Sequence, residues 1–184
     1  MKIHIVGASC SGVTSLGEYL SETLNVPYFD TDEFYWEKSD PPFTIRRDPA
    51  LRNNMILQEF SQHNGWILGG SVIKWELDTA FDLIVFLWLP QEIRIARLKA
   101  RELERYGDII YTDADRNKQF NEFIDWASGY DDNTARGRTL QAHQQWLAAS
   151  PYPVLELKGD LSIQERAAKV MEKLHAIQRE ISLK

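Results

Sequence analysis

Gly7-Ala8-Ser9-Cys10-Ser11-Gly12-Val13-Thr14 lies between a β-branched run and the start of a helical repeat. Gly7 and Gly12 let the backbone turn tightly enough for successive N–H groups to converge on one anion, and the helix that follows adds partial positive charge. The spacing is that of a loop that cradles phosphate, with the Thr14 hydroxyl placed to hold magnesium, or its water shell, against β- and γ-phosphates. Val13 stands where that pattern expects lysine. A charge-assisted contact contributes on the order of 1.5–3 kcal/mol, so its loss weakens triphosphate binding or the transition state about ten- to a hundredfold unless another cation substitutes. The alternative is a glycine-rich turn that binds nothing. Cys10 sits near a helix N-terminus, where a thiolate is favoured, yet it has no basic neighbour in sequence and reads better as a small loop residue.

Asp30 and Asp32 follow the short apolar segment Tyr28-Phe29. Ligands of open parallel sheets collect at the carboxyl ends of strands, and two carboxylates there can divide the work. Asp30 would face magnesium and Asp32 an acceptor hydroxyl, as orienter or base. The competing reading is that Asp30 or Thr31 caps a helix beginning near Glu33. Gly69-Gly70 lets backbone amides approach an acceptor, or simply makes a turn. Trp36 and Trp75 read either as walls of an acceptor pocket or as core.

Arg94, Arg97, Arg101 and Arg105 fall at helical offsets 0, 3, 7 and 11, within an arc of about 80° at about 100° per residue. One face thus presents four guanidiniums to phosphates, or forms a solvated face paired with Glu102 and Glu104. Ile93, Ala96, Ala100 and Leu103 take the opposite side as the expected packing face, with Leu98 outside this partition. Arg136 and Arg138 flank Gly137 as a second, smaller basic pair.

Positioning these groups requires alternating strands and helices. Ile3 to Val6 is a strand, Val13, Leu16, Leu20 and Leu24 recur at helical spacing, and Tyr28-Phe29 begins a second strand. Asp48-Pro49 predicts a helix start with Leu51, Met55 and Phe60 on its buried face and an end by Gly65. Trp66 to Leu68 and Leu83 to Leu89 read as third and fourth strands, the latter apolar on both faces as a central parallel strand must be. Residues 91–149 are helical with breaks at Gly107, Gly129 and Gly137, a lid-like elaboration. Val154 to Leu157 is the fifth strand, and Ser162 with Glu165 makes a capping box for a last helix bearing Ala167, Val170, Met171 and Leu174. The pattern predicts one three-layer α/β/α domain over residues 1–184 with a five-stranded parallel sheet.

The 184 residues are 43% hydrophobic and 26% charged, with a net charge of −6 that argues against salt-driven nucleic-acid binding. The single cysteine excludes an internal disulfide, and the four scattered histidines leave no zinc spacing, so any metal is expected to be oxygen-bound. The longest apolar run has seven residues, against about 20 for a membrane span. The N-terminal segment reaches a glycine before it builds a secretory signal, so a cytoplasmic location is expected.

In order, these features resemble the nucleoside/nucleotide and shikimate kinase-like branch of the P-loop NTPases. They are the loop near residue 7, Asp30-x-Asp32 with Tyr35-Trp36, Trp66-Ile67-Leu68-Gly69-Gly70-Ser71 and the arginine helix. The pattern is similar to bacterial topology-modulation-protein and adenylate-kinase-like proteins, and Ser11-Gly12-Val13-Thr14 looks like their lysine-lacking subgroup. The resemblance implies sheet order 2-3-1-4-5, ATP on the loop Gly7 to Thr14, and an acceptor near Asp32, Gly69 and Gly70. It further implies lid arginines that clamp the transferring phosphoryl group and adenine passing near Lys158-Gly159-Asp160; from the stripe itself, one of Arg97, Arg101 or Arg105 is expected to supply the cation that Val13 lacks. The expected function is transfer of the γ-phosphoryl group to a nucleoside monophosphate or small hydroxy compound, by a monomer or homodimer. The alternative is a nucleotide-binding regulatory protein with little or no transfer.

Overall fold

The computed structural model describes residues 1–40 and 42–182. Five strands, β1 (Lys2–Gly7), β2 (Tyr28–Asp30), β3 (Trp66–Gly69), β4 (Leu83–Trp88) and β5 (Val154–Lys158), form one parallel sheet in the order β2-β3-β1-β4-β5. The order agrees with the one the resemblance implies. Helices α1 (Val13–Leu24), α2 (Thr31–Tyr35) and α3 (Pro49–Ser61) fall between the first three strands. Between β4 and β5 come α4 (Gln91–Tyr106), α5 (Ile109–Thr112), α6 (Ala114–Ser128) and α7 (Leu140–Ala148), and α8 (Ile163–Ser182) follows β5.

Strand alternation divides the core between the two faces of the sheet. Ile3, Ile5, Ile67, Leu83 and Val85 meet Leu16 and Leu20 of α1 and Ala167, Val170 and Leu174 of α8. Val6, Trp66, Leu68, Ile84 and Phe86 meet Ile56 and Phe60 of α3 and Leu147 of α7. The Phe60 and Trp66 rings stack with centroids 3.7 Å apart. Because β3 and β4 are covered on both faces, they read as continuous apolar runs, whereas the apolar run of β1 is interrupted by the buried His4.

Local chemistry sets the helix ends. Asp48 accepts hydrogen bonds from the Ala50 and Leu51 amides at 2.9 and 3.0 Å, with Pro49 at the first helical position. Ser162 and Glu165 form the expected reciprocal capping box ahead of α8.

Two helix faces differ from expectation. In α3 the buried side is Arg52, Ile56 and Phe60, while Leu51 is exposed; positions four apart lie on one stripe, which the spacing Leu51, Met55, Phe60 drifts across. In α4 the buried side is Arg94, Leu98 and Glu102. Ala96 and Ala100 are exposed and Leu103 is 40% exposed, so the supposed apolar face is the outer one. Leu98, the apparent exception, marks the true packing face. Among the described residues, no helix is long and apolar enough to cross a membrane.

Two histidines lie inside. His4, on β1, stacks on Phe81 and meets the edge of Trp146, and its Nδ1 lies 3.1 Å from the Leu68 carbonyl. His143, on α7, is fully buried. Burial lowers their pKa values to about 4 and about 3. The unfolded chain therefore binds more protons below about pH 6.5, and stability conferred by neutral burial is lost as pH falls. Urea midpoints are expected to drop between pH 6 and 4, each histidine contributing up to about 1.4 kcal/mol per pH unit. His143→Gln should flatten that slope relative to the unaltered chain, and an unchanged slope would refute the assignment.

Candidate functional site

A cleft of about 890 Å³ opens at the carboxyl ends of the strands. Its floor is the loop after β1: Gly7, Ala8, Ser9, Cys10, Gly12, Val13 and Thr14 all line it. The loop's backbone is unusual at two points. Cys10 has φ 61° and Gly12, which precedes α1, has φ 96°. Glycine adopts the latter without the clash a side chain would suffer. Ser11 differs from its neighbours, for it is buried and contributes no side chain to the cleft. Its amide donates to the Ala8 carbonyl at 3.2 Å, and its carbonyl faces the interior.

Asp30 ends β2 and serves several partners. Its Oδ1 accepts from the Asp32 amide at 2.9 Å, which caps α2, and its Oδ2 accepts from Thr14 Oγ1 and Tyr28 OH, each at 3.3 Å. The helix-capping reading thus holds for Asp30, with α2 starting at Thr31 rather than near Glu33, and Asp30 is joined to Thr14 as well. Asp32 lines the same cleft. Although exposed to the cleft, Asp32 is partly desolvated by its walls, and this, reinforced by the Asp30 charge, raises its pKa against the opposing pull of Arg138 and Arg101. A raised pKa makes its carboxylate a better proton acceptor.

Gly70 lines the cleft with φ 110° and approaches Thr31 so closely that a β-carbon would overlap the threonine side chain. Gly69 is a correction: it is buried within β3 beneath Tyr28, whose ring would overlap any side chain there, and it does not line the cleft. Trp75 is core, 8% exposed, while Trp36 packs edge-on to Tyr35 and Phe43.

The arginine stripe separates into two groups. Arg94 is 1% exposed; it ion-pairs with Asp131, donates to the Leu89 carbonyl at 3.0 Å and faces the Tyr130 ring, anchoring the base of α4. It therefore leaves the predicted stripe. Arg97, Arg101 and Arg105 do line the cleft. Arg97 pairs with Asp160 at 2.6 Å, and Arg101 and Arg105 pair with Glu102 at 3.2 and 3.9 Å. Of the second basic pair, Arg138 lines the cleft and Arg136 does not. Asp160 lines it too, whereas Lys158 pairs with Glu156 on β5.

The loop thiol does not meet the thiolate reading. Burial raises the Cys10 pKa, outweighing the opposing charge of Arg101.

Similar proteins accord with this arrangement. No family model matches the chain. "Uncharacterized protein YqaC" of Bacillus subtilis (strain 168) is 38% identical over 174 residues, 94% of this chain and 96% of YqaC. The chain belongs to the YqaC family. A shikimate kinase of Aquifex aeolicus (strain VF5) is 46% identical over 118 residues, covering 54% of this chain and 66% of that kinase. The deoxyadenosine kinase from M. mycoides with bound dATP superposes with a TM-score of 0.59 at 13% identity, over 95% of this chain and 100% of that one. The fold is that of the P-loop NTPases, shikimate-kinase-like branch.

Three features of this YqaC-family chain escape the sequence. Arg166 of α8 lines the cleft and reaches the loop. Arg52 is 6% exposed, with its guanidinium 3.8 Å from the Trp75 ring centroid and no carboxylate paired with it among the described residues. Its spacing of four and eight from Ile56 and Phe60 is the one sequence signal that could have found it. Finally, Tyr130 OH lies 2.7 Å from His143 Nδ1, and His143 Nε2 lies 3.2 Å from Ser71 Oγ, next to Gly70. Nothing in the sequence links those three residues.

With its pKa raised, Cys10 should react with a thiol-specific disulfide reagent at pH 7.5 at least about threefold more slowly than glutathione. Faster reaction, followed by absorbance, would overturn the burial argument.

Proposed function

We propose that this chain binds a nucleoside triphosphate such as ATP over Gly7 to Thr14 and transfers its γ-phosphoryl group to a hydroxyl of a small acceptor at the ends of β2 and β3. The carrying observation is the junction of Thr14 Oγ1 with Asp30 Oδ2, 3.3 Å apart, on the same cleft wall as Asp32. The loop amides hold the phosphates, and Asp32 accepts the proton as the acceptor oxygen bonds to the γ-phosphorus and the bond to the leaving diphosphate oxygen breaks. Arg97, Arg101, Arg105 and Arg138 face the charge that develops on the moving group. The helices between β4 and β5 act as its lid.

Thr14 and Asp30 offer oxygen donors that suit magnesium. Among the described residues, no three His, Cys, Asp or Glu side chains gather as a self-sufficient metal site, so phosphate oxygens would complete its shell. When bound, the ion neutralises phosphate charge.

A second reading, nucleotide binding without transfer, is favoured by Val13, whose side chain packs against the core under α1 rather than supplying a cation.

Calorimetric titration with ATP, with and without magnesium, is expected to show saturable, magnesium-dependent binding. Asp32→Asn should abolish phosphoryl transfer in an acceptor screen while changing ATP affinity less than about threefold. Thr14→Ala should weaken the magnesium-dependent part of binding. Equal loss of binding and transfer in Asp32→Asn would remove Asp32 from its role, and binding with no transfer to any acceptor would favour the second reading.

A further inference from the structure

The loop lacks its own lysine, so some other group must supply its positive charge. Five arginines line the cleft, and their partners differ. Arg97 is paired with Asp160, and Arg101 and Arg105 with Glu102. Arg138 and Arg166 have no carboxylate paired with them among the described residues. Arg138 stands over the Trp126 ring, its charge felt at Asp32. Arg166, from the first turns of α8, reaches the phosphate loop itself.

Its Nη1 donates to the Ser11 carbonyl at 2.7 Å and its Nη2 to the Gly159 carbonyl at 3.4 Å. Arg166 is 4% exposed, and a β-carbon on Gly12 would stand 2.5 Å from Nη1. Burial, together with the nearby Arg97 charge, lowers its pKa against the opposing attraction of Asp160, as befits a cation short of anionic partners.

The Ser11 carbonyl and the Gly12 N–H belong to one peptide unit, and in a trans peptide they point in opposite directions. A cation on the carbonyl polarises the unit and strengthens its N–H as a donor. We propose that Arg166 replaces the missing lysine from beside the loop, acting through the Ser11–Gly12 peptide to raise affinity for the charged phosphates of a nucleoside triphosphate. It is a positioning residue, since it touches the loop and not the transferring group. This inference rests on the nucleotide-binding reading above.

The test compares ATP with adenosine by calorimetry, in the unaltered chain, Arg166→Gln, and Arg166→Gln combined with Val13→Lys. Arg166→Gln carries no charge and is two bonds too short to keep the 2.7 Å contact with the Ser11 carbonyl. It should lose ATP affinity about ten- to a hundredfold while adenosine affinity stays within about twofold. Adding Val13→Lys should restore most of the ATP loss, which repair of a merely structural defect would not do. ATP affinity unchanged in Arg166→Gln, or equal losses for ATP and adenosine, would overturn the proposal. Should Arg166→Gln fail to fold, Val13→Lys alone decides. With Arg166 already serving the loop, that variant should gain less than about threefold in ATP affinity, and a gain of about a hundredfold would refute the role of Arg166. If the unaltered chain binds no ATP, both readings fall, whereas binding that survives loss of the Arg166 charge sinks this one alone.

Discussion

Gly7 ends β1 against β4 so closely that a β-carbon on it would stand 2.7 Å from the Leu87 carbonyl oxygen. That contact governs the arrangement above it. The central strand cannot widen there, so the chain leaves the sheet abruptly and the turn to α1 is made within five residues, from Ala8 to Gly12. Ser11 is drawn under the turn and buried, its carbonyl directed inward and its amide tied to Ala8. The amides of a turn so constrained need little ordering when an anion arrives, which is the physical content of preorganisation.

The same strand ends decide what stands opposite the loop. β2 and β3 pair in register, with Asp30 beside Gly69, so the exit of β2 carries Asp30 to the Thr14 hydroxyl and Asp32 into the cleft. Tyr28 lies over Gly69 and adds its hydroxyl to Asp30. This side of the cleft is therefore built from backbone register first and side-chain chemistry second. Ser71, held by His143, and His143, held by Tyr130, tie the end of β3 to the segment after α6. These hydrogen bonds join α7 both to the end of β3 and to the segment after α6.

Where the sequence was legible, short-range patterns carried the information. Continuous apolar strands, Asp48-Pro49, the Ser162/Glu165 box and the glycine spacing of the loop each act within a few residues, and each appears as expected. The sheet order came only with the resemblance, because periodicity does not say which strands are neighbours. Position around a helix was misread where charge and burial disagree. Arg94 looked like the first member of an exposed stripe, but Asp131, 37 residues later, meets it inside, and Leu98 rather than Ala96 or Ala100 faces the protein. Arg166 was invisible for the same reason: its partner carbonyl is 155 residues away. Carbonyls have no residue identity to read, so a site whose cation binds backbone leaves no mark in local sequence.

The distribution of charge follows from this. The chain as a whole carries −6, yet five guanidiniums converge on one cleft. Such convergence is costly unless the charges are dispersed or met by anions. Glu102, itself nearly buried, answers Arg101 and Arg105, and Asp160 answers Arg97, so those three are held in place by partners that a ligand need not displace entirely. Arg166 and Arg138 are held by carbonyls and by an aromatic ring instead, groups that orient a guanidinium without neutralising it. A fold under selection for stability alone would place carboxylates beside them. Leaving two oriented cations without a paired carboxylate beside a glycine-rich turn lowers stability slightly and concentrates positive charge next to the loop that lacks lysine.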